Sequence, residues 1–498
     1  MFKYITASGL ALLMTINVTA RENVGDKLVA PRQENHKFMK FAASCEPATS
    51  SADLDVNNVR TKILNGGDMW WDLSNPKYEI PKIADQNSVR KHSLFSGAIW
   101  VGGYDGKGGS GNLKLAAMTY RQRGSDFWPG PINPVTGNTD EATCKTWDNI
   151  YKIKRSEIIE HYDNFAAGTP TLSESISTWP GRPNVGSPTL APFFDFNNDG
   201  IYNPIFGDYP VLQNECFVKK LNNFKDNQPS DQPDEMLYFA YNDKGNIHSE
   251  TGATPIGLEL HTVAFAYATN DEINNMTFYT TRIVNRGFTN LYDTYFGEWV
   301  DADLGNYIDD YVGCDVNRSL GFAYNGDDND DGILGYGLNP PSVGIDFFEG
   351  PKKDTTVNGR DTAYELGMSK FVYYNNTSDA VTGNPDLPIH FYYYLTGRFK
   401  NGKCMTCDYK SGTTGSKCTN YIFPFDTDPN CPGNWNERTA GNQPGDRRFL
   451  QTSGPFTLKP GAVNKLTVGV VWAKASTGGA EGSLALLKLA SDKAQTLF

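Results

Sequence analysis

"GLELHTVAFAYA" (257–268), linked by "TNDEINN" to "MTFYTTRIVNRG" (276–287), decides the fold class. Both runs are rich in β-branched and aromatic residues, and the link between them is polar and turn-forming. "TYFGEWV" (294–300) follows after "FTNLYD". The spacing predicts an antiparallel meander that forms one face of a sandwich.

The same pattern extends outward in both directions. "HSLFSGAIWVGGYD" (92–105) and "LKLAAMTYRQ" (113–122) read as two strands joined by a glycine-rich turn. No helix follows those glycines, so they are hairpin chemistry and not a phosphate cradle. Further strands are expected at "FVYYNN" (371–376), "IHFYYYLTGRF" (389–399), "RRFLQTSGPFTL" (447–458) and "NKLTVGVVWAKA" (464–475), with a turn at Pro460-Gly461 between the last two. "KTWDNIYKIKRSEIIEHYDNF" (145–165) predicts a strand entering a short helix, with Ser156 as its N-cap. "GSLALLKLASDKAQTLF" (482–498) has helical spacing that places Leu486, Leu489, Lys493 and Leu497 on one flank. This helix runs to Phe498 without a cap, so a further domain is expected to follow.

The expected fold is therefore mostly β, with antiparallel β-sandwich domains, long loops and a few short helices. Composition agrees: among 498 residues, 49 are Gly and 28 Pro, which favours short strands and many turns. Five segments are expected: a signal peptide (1–20), a flexible leader (21–50), an N-terminal β-rich domain (51–245), a β-sandwich domain (246–482) and a C-terminal helix (483–498). The signal reading rests on Lys3, the apolar "ITASGLALLMTI" and the small-residue cleavage site Val18-Thr19-Ala20. No later apolar run is long enough to span a bilayer as a helix. The net charge of -12, without a basic patch, argues against a nucleic-acid partner.

Chemistry concentrates in acidic loops. "DFNNDGIYNPIFGDYP" (195–210) places Asp195, Asn197 and Asp199 at alternate positions before Gly200. That is the spacing of a calcium loop, with Ile201 giving a backbone carbonyl. Position twelve is Phe206 and not Glu, and prolines flank the segment, so it is not an EF-hand; Asp208 is expected to close the shell. "DDNDDG" (327–332) repeats the pattern with Asp327, Asn329 and Asp331 and the carbonyl of Ile333. "DADLGNYIDD" (301–310) offers Asp301, Asp303, Asp309 and Asp310. Calcium is the expected ion at all three, against the plainer reading of solvated turns.

The remaining candidates are weaker. Eight cysteines behind a signal peptide point to disulfides. Cys404, Cys407, Cys418 and Cys431 admit zinc, but local disulfides stapling a long loop are preferred, because the second pair is not a close knuckle. The histidines are dispersed, with no His-Glu-x-x-His, and no Gly-x-Ser-x-Gly is present. Glu298 has the residue type for glycosidase chemistry but no evident partner carboxylate. Trp70, Trp71 and Trp128 are candidates for sugar stacking, or for core.

Together, "DVNNVRTKILNGGDMWWDL", "GEWVDADLGNYIDDYVGCD", "YGLNPPSVGIDFFEGP", "GDRRFLQTSGPFTLKPG" and the calcium-type segment resemble the N-terminal region of large Bacteroidota surface proteins. The resemblance spans roughly residues 50–498. It implies export by the type IX secretion system and a place on the outer surface, in adhesion or gliding. It carries no catalytic residues, and no C-terminal sorting domain is present. "DTT" (354–356) and "DTA" (361–363) resemble that phylum's short O-glycosylation motif.

The expected function is thus that of an exported, calcium-stabilised, non-enzymatic protein of the extracellular space or outer cell surface. Its expected partners are type IX secretion or outer-membrane components, or surface glycans. Two alternatives stand beside it: a carbohydrate-binding or carbohydrate-active protein, and an accessory subunit or bound substrate of outer-membrane secretion machinery.

Overall fold

The computed structural model describes residues 44–85, 87–182, 190–212, 228–357, 360–408, 410–431 and 433–498. The expected signal peptide, most of the leader and Cys216 lie outside these residues. The chain is mostly β and antiparallel, as the patterning requires.

Two large sheets carry the fold. The first has ten strands, centred on Leu291–Ala302, which pairs with Ser96–Tyr104 on one side and Arg447–Leu458 on the other. The second has nine, and runs through Leu320–Asn325, Ser342–Glu349, Val463–Ala473, Thr277–Asn285, Leu258–Ala266 and Glu235–Asn242. Their inner faces share one apolar core that includes Ile99, Val300 and Leu450 from the first sheet and Leu260, Ile283 and Val468 from the second. Polar atoms cross the same gap: Trp70 Nε1 donates to Tyr279 Oη at 2.9 Å, and Gly321 N donates to Gln451 Oε1 at 3.0 Å.

Both outer faces are covered. On the first sheet, Trp100 stacks on Trp299 with ring centroids 6.2 Å apart, and Phe391 of the helix Pro388–Leu395 packs 4.9 Å from Trp100. On the second, the helices Arg155–Ala166 and Gly479–Gln495 pack over Tyr238, Phe265, Phe278 and Val471.

Several expectations are corrected. The third strand of the proposed meander, Leu291–Ala302, leaves its predecessors and enters the opposite sheet. Both sheets draw strands from either side of residue 245, so the expected domain boundary runs through the sandwich. The segment 389–399 is a helix at Pro388–Leu395 and not a strand. Pro388 fits the first turn, where no amide donor is needed, and Phe391, Tyr392, Tyr394 and Leu395 bury one face. Here packing overrides the β-propensity of the aromatics.

Two details at the helices also change. Ser156 lies inside its helix; the cap forms where Glu157 Oε2 accepts from Lys154 N at 2.9 Å. The last helix buries Ala480, Ser483, Leu484, Leu487, Ala490, Ser491 and Ala494. Small residues let it approach the sheet closely, and this turns Leu486, Leu489 and Leu497 to solvent. Lys493 leaves the apolar face entirely and pairs with Asp271 and Glu272.

Among the described residues three disulfides are formed: Cys45–Cys144, Cys404–Cys418 and Cys407–Cys431. The last two interleave across the loop after Pro388–Leu395, which leaves no thiolate there for zinc. Cys314 is a buried free thiol. No helix among the described residues is long and apolar enough to cross a membrane.

Candidate metal centres

The loop 195–208 is closed by a two-residue ladder, Phe193–Phe194 against Tyr209–Pro210. Asp208 sits at its base, fully buried. Its Oδ1 accepts from Phe196 N at 2.9 Å and its Oδ2 from Asn203 N at 2.8 Å, so one carboxylate clasps both ends of the loop. His161 of the helix Arg155–Ala166 supports it from below, with Nε2 3.0 Å from Asp208 O.

The tip turns on itself. Asp195 accepts from Asp199 N and Gly200 N at 3.2 and 2.6 Å, and Asp199 Oδ1 accepts from Ile201 N at 2.7 Å. Asn197 Nδ2 donates to Asp199 Oδ2 at 2.9 Å. Gly200 has φ +72°, a conformation that disfavours a side chain, although space for one exists. Burial pushes the Asp208 carboxyl up to about 6 despite its two amide donors, and the charges of Asp195 and Asp199 push the same way. Asp195, Asn197 and Asp199 thus hold the tip of the loop, and Asp208 holds its base.

The other two acidic segments are not separate. The turn after Leu291–Ala302 and the turn after Leu320–Asn325 fold against each other. Asp330 is buried between them: its Oδ1 accepts from Asn306 N at 3.0 Å and its Oδ2 from Tyr336 N at 2.7 Å. Asp309 Oδ2 accepts from Asn306 Nδ2 at 3.3 Å and lies 3.5 Å from Asp331 N. Asp310 Oδ2 accepts from Leu304 N at 3.0 Å. A Cβ at Gly305 would lie 2.1 Å from Asp330 Oδ2, so only glycine lets this turn close on the carboxylate.

Some predicted ligands are engaged elsewhere. The carbonyl of Ile333, expected to face calcium, accepts from the Lys91 ammonium at 2.6 Å. Asp301 Oδ2 accepts from Tyr120 Oη at 2.6 Å and pairs with Arg448 at 3.2 Å. Asp301, Asp303 and Asp446 do converge, but the Arg448 guanidinium, 2.7 Å from Asp446, already supplies a cation there. Asp327 Oδ1 accepts from Asn329 N at 2.8 Å, and Asn329 bonds Asp331 within the exposed tip. Asp330, at the fourth position of "DDNDDG", was passed over because the calcium template reads alternate positions.

The catalytic candidates are sealed. Glu259 and His261, two residues apart on the strand Leu258–Ala266, lie 2.8 Å from each other, and Tyr238 Oη lies 2.7 Å from the other ring nitrogen. Arg286 and the amide of Ile132 also hold Glu259. Glu259, His261 and Tyr238 are all buried, so no substrate can reach them. Burial lowers His261 to about 4, and Glu259 is drawn down to about 2 by His261 and Arg286 against its own burial. Glu298 lies between the sheets beside a cavity of about 10 Å³, room for one water. Trp70, Trp71 and Trp128 are core residues, each at most 2% exposed, so none presents a ring to a sugar.

An open polar cavity of about 430 Å³ is lined by Tyr373, Asn375, Asn376, Asn442, Gln443 and Arg447 among others. Arg447 is fixed there by Glu437 at 3.0 Å and by Asn375 at 3.1 Å.

No protein-family model and no curated protein matches the chain.

Proposed function

We propose that this chain is an exported, non-enzymatic surface module with an adhesive or structural role, stabilised by calcium and carried by type IX secretion. The observation that carries the calcium reading is the gathering of Asp195, Asn197 and Asp199 over the buried carboxylate of Asp208. The three disulfides fit an oxidising, extracellular setting. The secretion route rests on the sequence resemblance alone.

A cation that binds only the folded chain adds stability in proportion to the logarithm of its concentration. Millimolar calcium is therefore expected to raise the melting temperature of the mature chain relative to chelator. Asp199→Ala is expected to shrink that increment and leave the melting temperature in chelator nearly unchanged. Equal loss in both media would return the loop to an ordinary turn.

A second reading, binding of surface glycans, is supported by the polar cavity. Amides, a guanidinium and a tyrosine are the donors and acceptors that hydroxyl-rich ligands use. On a glycan array, wild type is expected to retain a ligand that Gln443→Ala releases. Binding untouched by that change would remove the cavity from consideration.

A further inference from the structure

We infer that His248 is a doubly protonated imidazolium held between the two sheets, and that its second proton works as a clasp: the loop 243–257 stays closed only while that proton is kept.

The ring is buried and has an acceptor at each nitrogen. Nδ1 lies 2.8 Å from the carbonyl oxygen of Leu115, and Nε2 lies 2.8 Å from the carbonyl oxygen of Asp243. A carbonyl oxygen only accepts, so each nitrogen has to donate, and a neutral imidazole carries one N–H. Both bonds exist together only in the imidazolium. In either neutral tautomer a ring lone pair would face a carbonyl lone pair, away from water.

The charges around the ring make the same demand independently. Asp126 Oδ2 lies 3.4 Å from Nδ1 and Asp243 Oδ2 lies 3.8 Å from Nε2, and all three side chains are sealed from solvent. Asp126 accepts from the amides of Ala117, Glu250 and Thr251 and from the Thr251 hydroxyl. Asp243 accepts from the amides of Ile256, Gly257 and Leu258. Donor sets of that kind favour the ionised carboxylate. Two buried negative charges need a positive partner, and among the described residues no lysine or arginine pairs with either. Glu250, the next titratable group beside Asp126, supplies no cation; burial pushes its carboxyl up to about 7, and Asp126 pushes the same way. Trp128 packs against the His248 ring with centroids 5.8 Å apart.

The imidazolium joins the two layers. Leu115 belongs to the strand Leu113–Ala116, which pairs with Ser96–Tyr104 in the first sheet. Asp243 directly follows Glu235–Asn242 of the second. The loop between them is stitched down by Asp126 at residues 250–251 and by Asp243 at residues 256–258. Loss of one ring proton breaks a carbonyl bond and strips two buried carboxylates of their counter-charge at the same moment. The clasp therefore holds at lower pH and is released as pH rises.

The test is nitrogen NMR of the mature chain labelled at histidine, read beside amide hydrogen exchange as pH is raised from 6. His248 is assigned by the signals missing from His248→Gln or, where that variant does not fold, by those displaced in Asp126→Asn. At pH 7 both ring nitrogens of His248 are expected to carry a proton, and the amides of Glu250, Thr251, Ile256, Gly257 and Leu258 to be protected. Their protection is expected to fall about tenfold or more at the same pH at which the second proton leaves, whether the loop opens alone or the whole fold opens with it. A neutral His248 in a chain whose amides at these positions are still protected, at pH 7 or above, overturns the inference.

Discussion

Replacing Arg448 by methionine is expected to cost about 3–5 kcal/mol of folding stability. Arg448 lies directly opposite Asp301 in the ladder between Arg447–Leu458 and Leu291–Ala302. Its guanidinium pairs with Asp301 at 3.2 Å and Asp446 at 2.7 Å, its Nε donates to Tyr120 Oη at 2.7 Å, and it lies 5.6 Å from the centre of the Tyr120 ring. Both Arg448 and Asp301 are almost wholly buried. The pair itself adds little beyond what apolar residues of the same volume would give, because both charges were taken out of water. Removing one partner is different: it leaves Asp301 charged in a dry site. Chemical denaturation at pH 7 measures the loss. The double variant Arg448→Met with Asp301→Leu is expected to recover most of it. A single variant within 1 kcal/mol of wild type would show that water reaches Asp301 and that the network is not closed.

Glu298→Gln is expected to act in the opposite direction, and only through pH. Glu298 lies in the sandwich interior with neither carboxyl oxygen hydrogen-bonded, and burial pushes it up to about 8 from an ordinary 4.5. The folded chain therefore keeps the proton that the unfolded chain releases above pH 4.5. This group's contribution to stability is full below that value and is lost as pH rises to 8, at about 1.4 kcal/mol per pH unit. By pH 7 the loss through Glu298 is about 3 kcal/mol. The glutamine variant cannot titrate, so its stability is expected to fall less steeply over pH 5–8. Denaturation curves collected across that range decide it; parallel profiles for the two proteins would mean that Glu298 is ionised or solvated inside the fold.

Local structure was legible in the sequence where it depends on local pattern. "RRFLQTSGPFTL" is a strand from its first residue to its last, and the hairpin around the glycine-rich turn at 105–112 forms as spaced. The hydrogen-bonded loop 195–208 was legible because its acidic and amide residues sit within fourteen positions. What was not legible is pairing. Nothing in "TYFGEWV" says that it crosses to the sheet of Ser96–Tyr104, since that choice is made by contacts nearly two hundred residues away. The same limit hid the meeting of the two acidic turns: Asp330 takes the amide of Asn306 only because the sandwich brings the turns together. The helix at Pro388–Leu395 was misread for a related reason, because its aromatics are selected by the Trp100–Trp299 face they cover and not by their own backbone preference.

The placing of the last two long strands has a consequence for how the chain comes into being. Arg447–Leu458 sits between Lys370–Asn375 and Leu291–Ala302, and Val463–Ala473 sits between Ser342–Glu349 and Thr277–Asn285. Each is an interior member of its sheet, yet both are made after every strand they pair with. Until residue 473 has emerged, each sheet is split along its middle, with open edges and apolar faces exposed. A nascent chain of this design cannot settle early; neither layer closes until these two strands are available. Through that delay the unpaired edges of both half-sheets are where two nascent chains could pair wrongly with each other.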